Sequence, residues 1–122
     1  MAARIERWDV RLDGPLSEAA LQRKIEALGF EVVARIYPAG LATTAPTDPR
    51  QAIAAVVRGL VKVTIGGEPE LLTAGDLAFV PPGVSRRLEV VGPATALCLE
   101  AFPKSAGDAE KAEGAEKAED AG

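Results

Sequence analysis

The segment Gly75–Arg87 constrains the fold of this chain more than any other part of its sequence. An apolar run from Leu77 to Val80 is followed by Pro-Pro-Gly at 81–83, and a second strand-like run begins at Leu88. Proline has a fixed φ and no N–H, and glycine tolerates positive φ, so this cluster ends one strand and turns the chain. The segment therefore predicts two β-strands joined by a rigid corner.

Written as spacing, the same segment is G-x5-P-x-G-x2-R, from Gly75 to Arg86. It closely resembles the second signature of the cupin superfamily, G-x5-P-x-G-x2-H, in which the final histidine binds a metal. The first cupin signature, G-x5-H-x-H-x3-E-x6-G, fits the stretch from Gly40 to Gly59 without a gap. The chain is therefore similar to a small single-domain cupin. This resemblance implies an all-β, double-sheet jelly roll of the RmlC-like type.

The resemblance does not extend to the metal ligands. The four ligand positions of the signatures hold Pro46, Asp48, Ala52 and Arg86, and the chain contains no histidine. Proline and alanine side chains cannot bind a cation, and the guanidinium brings a permanent positive charge to the place where a cation would lie. We therefore expect no metal or other cofactor, and we interpret Asp48 as the ion-pair partner of Arg86.

The rest of the sequence predicts one helix followed by about eight short strands, with a hairpin turn at Gly66-Gly67. Ser17 is a good N-cap, and Leu21, Ile25 and Leu28 form an apolar stripe at helical spacing. Residues 38–49 are expected to form a long loop. The predicted organisation is an N-terminal arm and helix (1–29), a cupin barrel (30–103) and an acidic tail (104–122).

The N-terminal segment, residues 4–12, alternates weakly between polar and apolar residues and contains Trp8, the only tryptophan. This pattern predicts an edge strand or an extended arm. In single-domain cupins such a segment often pairs with a second subunit, so the resemblance implies a homodimer. The alternative is that Trp8 covers one end of its own barrel.

Composition excludes several classes of partner. The net charge is −4, most of it in the tail, so the body is nearly neutral and has no basic cluster that would bind nucleic acid. No apolar run approaches the roughly 18 residues that span a membrane, and the N-terminus lacks an apolar signal region. We expect a cytoplasmic protein. Alanine at every third position of the tail, interrupted by Gly107 and Gly114, predicts a disordered tail, with a helical partner-binding arm as the alternative.

The predicted binding site lies at the mouth of the barrel. If the strand Gln51–Arg58 keeps the cupin orientation, residues 52, 54, 56 and 58 point inward. Apolar walls with guanidinium groups suit a small carboxylate, phosphate or sugar acid, because arginine pairs bidentately with such anions. The predicted ligand-binding residues are Arg86, Asp48, Arg50, Arg58, Tyr37 and Ala52. The alternative is that Arg86 and Asp48 pair, fill the former metal position and leave nothing to bind.

Three functions remain open from the sequence. The first is non-catalytic binding of a small anion, or an accessory role. The second is a metal-dependent isomerase or oxygenase of cupin type with non-standard ligands, and the third is a structural module that engages a partner through its tail. No catalytic residue is predicted, because the acid–base candidates show no spacing that marks a pair, and two of them, Lys62 and Glu89, are expected to face solvent. The lone Cys98 allows no internal disulfide and is expected to be a buried thiol.

Overall fold

The computed structural model describes residues 4–45 and 47–104. These residues form nine strands and two helices. In chain order the elements are β1 (Arg4–Glu6), α1 (Val10–Asp13), α2 (Glu18–Glu26), β2 (Phe30–Tyr37), β3 (Ala42–Ala45), β4 (Ala52–Arg58), β5 (Val61–Ile65), β6 (Glu68–Leu72), β7 (Leu77–Val80), β8 (Arg86–Val90) and β9 (Ala96–Pro103). The predictions made for Pro46 and for the tail after Lys104 lie outside the described residues.

The strands form two antiparallel sheets, as the predicted jelly roll requires. The five-stranded sheet has the order β1-β7-β4-β9-β2, and the four-stranded sheet has the order β3-β8-β5-β6. The strands on either side of the predicted Pro-Pro-Gly corner, β7 and β8, belong to different sheets. The corner therefore carries the chain from one layer of the sandwich to the other, and the fold is all-β and cupin-like.

The centre of the five-stranded sheet is buried on both faces. On β4, Ile53, Ala55 and Val57 belong to a core shared with α2, whereas Ala52 and Val56 belong to a core shared with the four-stranded sheet. We call these two sides the helix face and the inner face. Burial on both faces explains why β4 is a continuous apolar run rather than an alternating strand.

Helix α2 begins and is buried as its sequence predicts. The Ser17 side chain accepts a hydrogen bond from the Ala20 N–H at the N-terminus. Leu21 and Ile25 are fully buried against the helix face, whereas Leu28, which lies beyond the end of the helix, is about half exposed. Helix α2 therefore covers the helix face of the five-stranded sheet, and none of its side chains belongs to the core on the inner face.

The N-terminal segment pairs within its own chain. Strand β1 is antiparallel to β7, and the backbone N–H of Trp8 donates a hydrogen bond to the Gly75 carbonyl. A Cβ atom at Gly75 would lie 2.7 Å from the Trp8 Cβ, so the first glycine of the second signature allows this close approach. Residues 4–6 thus form the predicted edge strand, whereas the chain after Trp8 forms the short helix α1. Trp8 therefore packs on the helix face of its own barrel, and the homodimer stays a prediction.

One further expectation is corrected by the strand assignment. The stretch 38–49, predicted as a loop, contains β3, which pairs with β8 through Thr43 and its neighbours. Tertiary pairing with an existing strand overrides the weak local pattern of this Thr- and Ala-rich stretch. In contrast, the predicted Gly66-Gly67 hairpin is confirmed, with φ of 58° and 85° at the two glycines. No helix in the described part of the chain is long and apolar enough to cross a membrane.

The last glycine of the first signature, Gly59, is required by both backbone and packing. Its φ is 104°, and a Cβ atom at this position would lie 2.8 Å from the Ala96 Cα and 2.9 Å from the Ala96 Cβ. Gly59 directly follows an irregularity in the β4–β9 pairing, between Val56 and Arg58. The glycine thus lets the chain leave β4 while β9 approaches closely.

We expect Gly59→Ala to lower the free energy of unfolding by about 3 kcal/mol, because a strained φ and a steric clash add together. The matched control is Gly92→Ala, where φ is 85° but an added Cβ meets nothing within 4 Å, and there the expected loss is about 1 kcal/mol. Urea unfolding of both variants measures the difference. Equal losses would contradict the close packing of Gly59 against β9.

Candidate functional site

A cavity of about 110 Å³ lies at one end of the barrel, between the two sheets. Most of its wall is apolar, and its polar groups come from two side chains, Asp48 and Arg86. The complete lining is Ala45, Asp48, Ala52, Val80, Val84, Arg86 and Phe102. Asp48, Ala52 and Arg86 occupy three of the four ligand positions of the cupin signatures, so the cavity lies where the family resemblance places its site.

Arg86 is held in the cavity wall by the register of β8. It pairs across the sheet with Ala45 of β3 and Ile65 of β5, on the same face of the strand as Leu88 and Val90. Only 12% of its side chain is exposed. Its Nη2 donates a 2.9 Å hydrogen bond to Glu100 Oε2, whereas Nη1 is buried without a hydrogen-bond partner among the described residues. One half of the guanidinium is thus paired, and the other half is a buried donor that lacks an acceptor.

The partner of Arg86 is Glu100, which the sequence reasoning missed. Glu100 lies on β9 in alternation with Cys98 and Phe102, which places it on the inner face, and its Oε1 is 3.5 Å from Nε of Arg35. The signal that could have found it is a single acid at an inward position of an otherwise apolar strand, Ala96–Phe102. Arg35, Glu100 and Arg86 therefore form a row of three charges, in which one carboxylate lies between two guanidinium groups. Of these three residues, Arg86 lines the cavity.

Asp48 does not form the expected ion pair with Arg86. Its carboxylate accepts hydrogen bonds from the Arg50 side chain at 3.0 and 2.9 Å and from the Arg50 backbone N–H at 2.8 Å. These bonds lower the pKa of Asp48 to about 2. The Arg50 side chain competes well with Arg86 for the Asp48 carboxylate, because a contact between residues only two apart needs little ordering of the chain. The alternative in which Arg86 and Asp48 pair with each other is therefore wrong.

The Asp48 loop is also joined to the second signature through the backbone. The Gly83 N–H donates a 2.7 Å hydrogen bond to the Asp48 carbonyl. Arg50 lies over the Phe102 ring, with its Cζ 4.2 Å from the ring centroid, and Arg86 Cζ is 5.9 Å from the same centroid. Arg50 therefore covers the rim of the cavity and is not among the residues that line it.

Arg58 is placed away from the cavity, contrary to the prediction. The register irregularity between Val56 and Arg58 breaks the alternation that would have turned residue 58 inward, and the side chain is exposed. Ala52 and Val56 do face inward, and Ala52 lines the cavity. Of the six predicted binding residues, the structure thus brings Arg86, Asp48 and Ala52 together in the cavity wall.

Two titratable groups flank the charged row. Tyr37 is half-buried beside the inner core, and burial, followed by the charge of Glu100, raises the pKa of its phenol. Cys98 is buried as expected, and burial raises the pKa of its thiol to about 11. Both groups therefore stay protonated at neutral pH. Lys62 and Glu89 form a 3.4 Å ion pair with each other, about a third to a half exposed, on the outer side of the four-stranded sheet.

The residues present do not fit the metal of the cupin signatures. Imidazole and carboxylate donors would have to surround the ion. The structure instead places an alanine, an arginine and a carboxylate already bonded to Arg50 in the wall. The described residues contain no group of three or more cysteine, aspartate or glutamate side chains that could hold an ion. The charged groups of the cavity lining are thus a guanidinium and a carboxylate that is already bonded to Arg50.

Sequence and structural comparisons agree with the fold. Residues 32–102 match the model of the cupin domain family, and the chain therefore belongs to the cupin family. No curated protein is a significant match to the sequence.

Solved structures with the same fold come from several bacteria. The plu4264 protein of Photorhabdus luminescens is 13% identical, with 73% of this chain and 74% of that chain covered at a TM-score of 0.62. An RmlC-like cupin of Shewanella frigidimarina is 25% identical, with 66% and 70% covered at 0.56. A cupin protein of Bacteroides fragilis is 24% identical, with 70% and 75% covered at 0.56. The chain is thus a small cupin of RmlC-like architecture.

We expect the Arg86–Glu100 pair to show a coupling energy of about 1–2 kcal/mol in a double-mutant cycle of Arg86→Met and Glu100→Gln, because both side chains are largely withdrawn from water. The control cycle on the outer pair, Lys62→Met with Glu89→Gln, should give less than about 0.5 kcal/mol. Urea unfolding supplies the four stabilities of each cycle. A coupling at Arg86 no larger than that of the outer pair would contradict the partly buried ion pair.

We expect the Asp48 carboxyl to titrate with a midpoint near its lowered pKa of about 2. Because the folded-state pKa lies below the unfolded value of about 3.9, the Asp48–Arg50 contribution to stability is complete above about pH 4 and is lost as the pH falls toward 2. A carbon-detected NMR titration of the side chain measures the midpoint. Arg50→Gln should move it back toward 3.9, and a wild-type midpoint already at 3.9 would contradict the bonded geometry.

Proposed function

We propose that this cupin binds a small monoanion, a short-chain carboxylate, in the Arg86 cavity, without catalysing a reaction on it. The observation that carries the proposal is the half-paired guanidinium: Arg86 is nearly buried, and its Nη1 lacks an acceptor among the described residues. A buried donor without an acceptor costs free energy, whereas a carboxylate ligand would supply acceptor oxygens and a compensating charge.

The charges around the cavity favour one negative charge on the ligand. Asp48 and Arg50 neutralise each other through their hydrogen bonds. The row of Arg35, Glu100 and Arg86 carries two positive charges and one negative charge, which leaves one positive charge unbalanced. A monoanion would complete this balance, whereas a doubly charged phosphate would exceed it.

The size and polarity of the cavity restrict the body of the ligand. Its volume of about 110 Å³ is well below the roughly 300–1,000 Å³ of sites for larger metabolites. The wall away from Arg86 is formed by Ala52, Val80, Val84 and other apolar groups. A carboxylate with a short apolar or weakly polar tail suits both properties better than a sugar phosphate or a nucleotide.

The acid–base candidates of the sequence do not support an enzyme. Lys62 and Glu89 pair with each other on the outer side of the four-stranded sheet. The lowered pKa of Asp48 makes that carboxylate a weak base, and the raised pKa of Tyr37 makes the phenol a weak acid. A non-catalytic binding or accessory role agrees better with these groups than acid–base catalysis does.

The proposal predicts saturable binding of propionate at constant ionic strength, with a Kd of about 1 mM, as befits a ligand of few heavy atoms. Arg86→Gln should weaken binding at least about tenfold, because a charge-assisted bond is lost. The matched control is Arg87→Gln at the neighbouring residue, which is half exposed and faces outward, and it should bind like the wild type. Two-dimensional NMR measures binding and, at the same time, the folding of each variant.

The outcomes separate this proposal from its alternatives. Absence of saturable binding of propionate, acetate, lactate and inorganic phosphate to the wild type would favour a purely structural Arg86–Glu100 pair. Near-stoichiometric retention of a transition metal after desalting, lost in Asp48→Ala, would favour the metal-dependent enzyme. A pull-down of a partner that depends on residues 104–122 would favour the interaction module.

A further inference from the structure

Asp48 is the second polar side chain of the cavity lining, and its hydrogen bonds do not use all of its acceptor capacity. The other lining residues besides Arg86 are apolar. The Asp48 carboxylate accepts three hydrogen bonds, all of them from Arg50. An ionised carboxylate has about four acceptor positions. Oδ1 accepts two of these bonds and Oδ2 accepts one, so Oδ2 keeps an acceptor position that no other described residue fills.

This acceptor position affects any anion that reaches Arg86. Hydrogen bonds from Arg50, and more weakly the charge of Arg86, hold the pKa of Asp48 at about 2, so its carboxylate stays ionised at neutral pH. In a cavity of about 110 Å³, a ligand made of a carboxylate and a hydrocarbon tail would place a like charge or an apolar group beside Asp48. A ligand that also carries a hydrogen-bond donor would satisfy the carboxylate instead.

We propose that the ligand of the cavity is a short hydroxy acid and that Asp48 selects it, an inference that rests on the proposed function. The carboxylate of the ligand accepts a hydrogen bond from Arg86 Nη1, and its hydroxyl group donates one to Asp48 Oδ2. Its carbon atoms lie against the apolar lining, which includes Val80, Val84 and Phe102. The donor and the acceptor that the described residues leave without partners are then both satisfied by one small molecule.

A hydroxyl group suits this position better than an ammonium group does. Asp48 is already neutralised by Arg50, so a ligand cation would lie close to guanidinium groups. An ammonium group also has three donors, whereas Asp48 has about one free acceptor position. A hydroxyl has one donor and no charge. The ligand then keeps the single negative charge that balances the row of Arg35, Glu100 and Arg86.

The inference is tested with pairs of acids of equal size. Lactate and 2-methylpropionate differ by a hydroxyl in place of a methyl group, and 3-hydroxypropionate and butyrate form a second such pair. Two-dimensional NMR titration at constant ionic strength measures each Kd, with both enantiomers of lactate. In at least one pair the wild type should bind the hydroxy acid about tenfold more tightly, because its counterpart lacks the bond to an ionised acceptor. The amine of the same skeleton, 2- or 3-aminopropionate, should bind at least about tenfold more weakly than that hydroxy acid.

Two variants test the role of Asp48. Asp48→Ser removes the carboxylate and keeps a hydroxyl that can accept from the Arg50 N–H, so the local turn is retained. Asp48→Asn keeps an oxygen for the same N–H and replaces the other carboxylate oxygen with a donor. Both should bring the Kd ratio of the selective pair close to one. The change of net charge affects both acids of a pair alike, so the ratio isolates the hydroxyl group.

The matched control is Glu89→Gln, which removes one carboxylate on the outer side of the four-stranded sheet. This variant should keep the wild-type Kd ratio. The NMR spectra also show whether each variant is folded, and the wild-type ratios test the inference without any substitution.

The outcomes separate this inference from the proposed function. Equal affinity of the wild type for both acids of each pair, with binding that still depends on Arg86, would overturn the selection by Asp48 and leave the carboxylate site in place. A preference that persists in both Asp48 variants would overturn it too, because another group would then accept from the hydroxyl. Absence of binding of all four acids would overturn the proposed function together with this inference.

Discussion

The site is organised around one constraint, the permanent positive charge of Arg86 inside the mouth of the barrel. A guanidinium that is 12% exposed needs a negative partner close by, and Glu100 supplies it from the facing sheet. This ion pair spans the two layers, because Arg86 belongs to the four-stranded sheet and Glu100 to the five-stranded sheet. The geometry of the ion pair therefore depends on the packing of both sheets. It leaves Nη2 bonded to Glu100 and Nη1 without an acceptor among the described residues.

The loops around the cavity are arranged so that Asp48 does not compete for this charge. The Asp48 carboxylate accepts three hydrogen bonds from Arg50, and the Asp48 carbonyl accepts one from the Gly83 N–H of the second signature. The two signature segments are thus joined by a backbone hydrogen bond, and no shared ion is needed to join them. Backbone hydrogen bonds and strand register thus hold these segments together with Ala52 and Arg86 at the signature ligand positions.

The sequence predicted the parts of the fold that rest on local chemistry. The Pro-Pro-Gly corner, the Ser17 cap and the Gly66-Gly67 hairpin each depend on residues close together in the chain, and each forms as expected. The pairing of Arg86 with Glu100 could not be predicted from the sequence in the same way. It depends on which strands oppose each other across the sandwich and on the alternation of β9, and neither is encoded by the spacing of a motif. The exposure of Arg58 has a similar origin, because a register irregularity in β4 has no strong sequence signal.

The ion pair itself is a weak explanation for the presence of Arg86. Replacing a partly buried ion pair by apolar side chains of similar volume is often neutral or stabilising, because desolvation of two charges offsets most of their attraction. The apolar inner core would accept leucine or methionine at residues 86 and 100 with little loss of stability. The arginine also leaves Nη1 buried without an acceptor among the described residues, which adds a further cost. A side chain that stabilises the fold so inefficiently agrees better with the carboxylate ligand that we propose, whose oxygens would accept a hydrogen bond from Nη1.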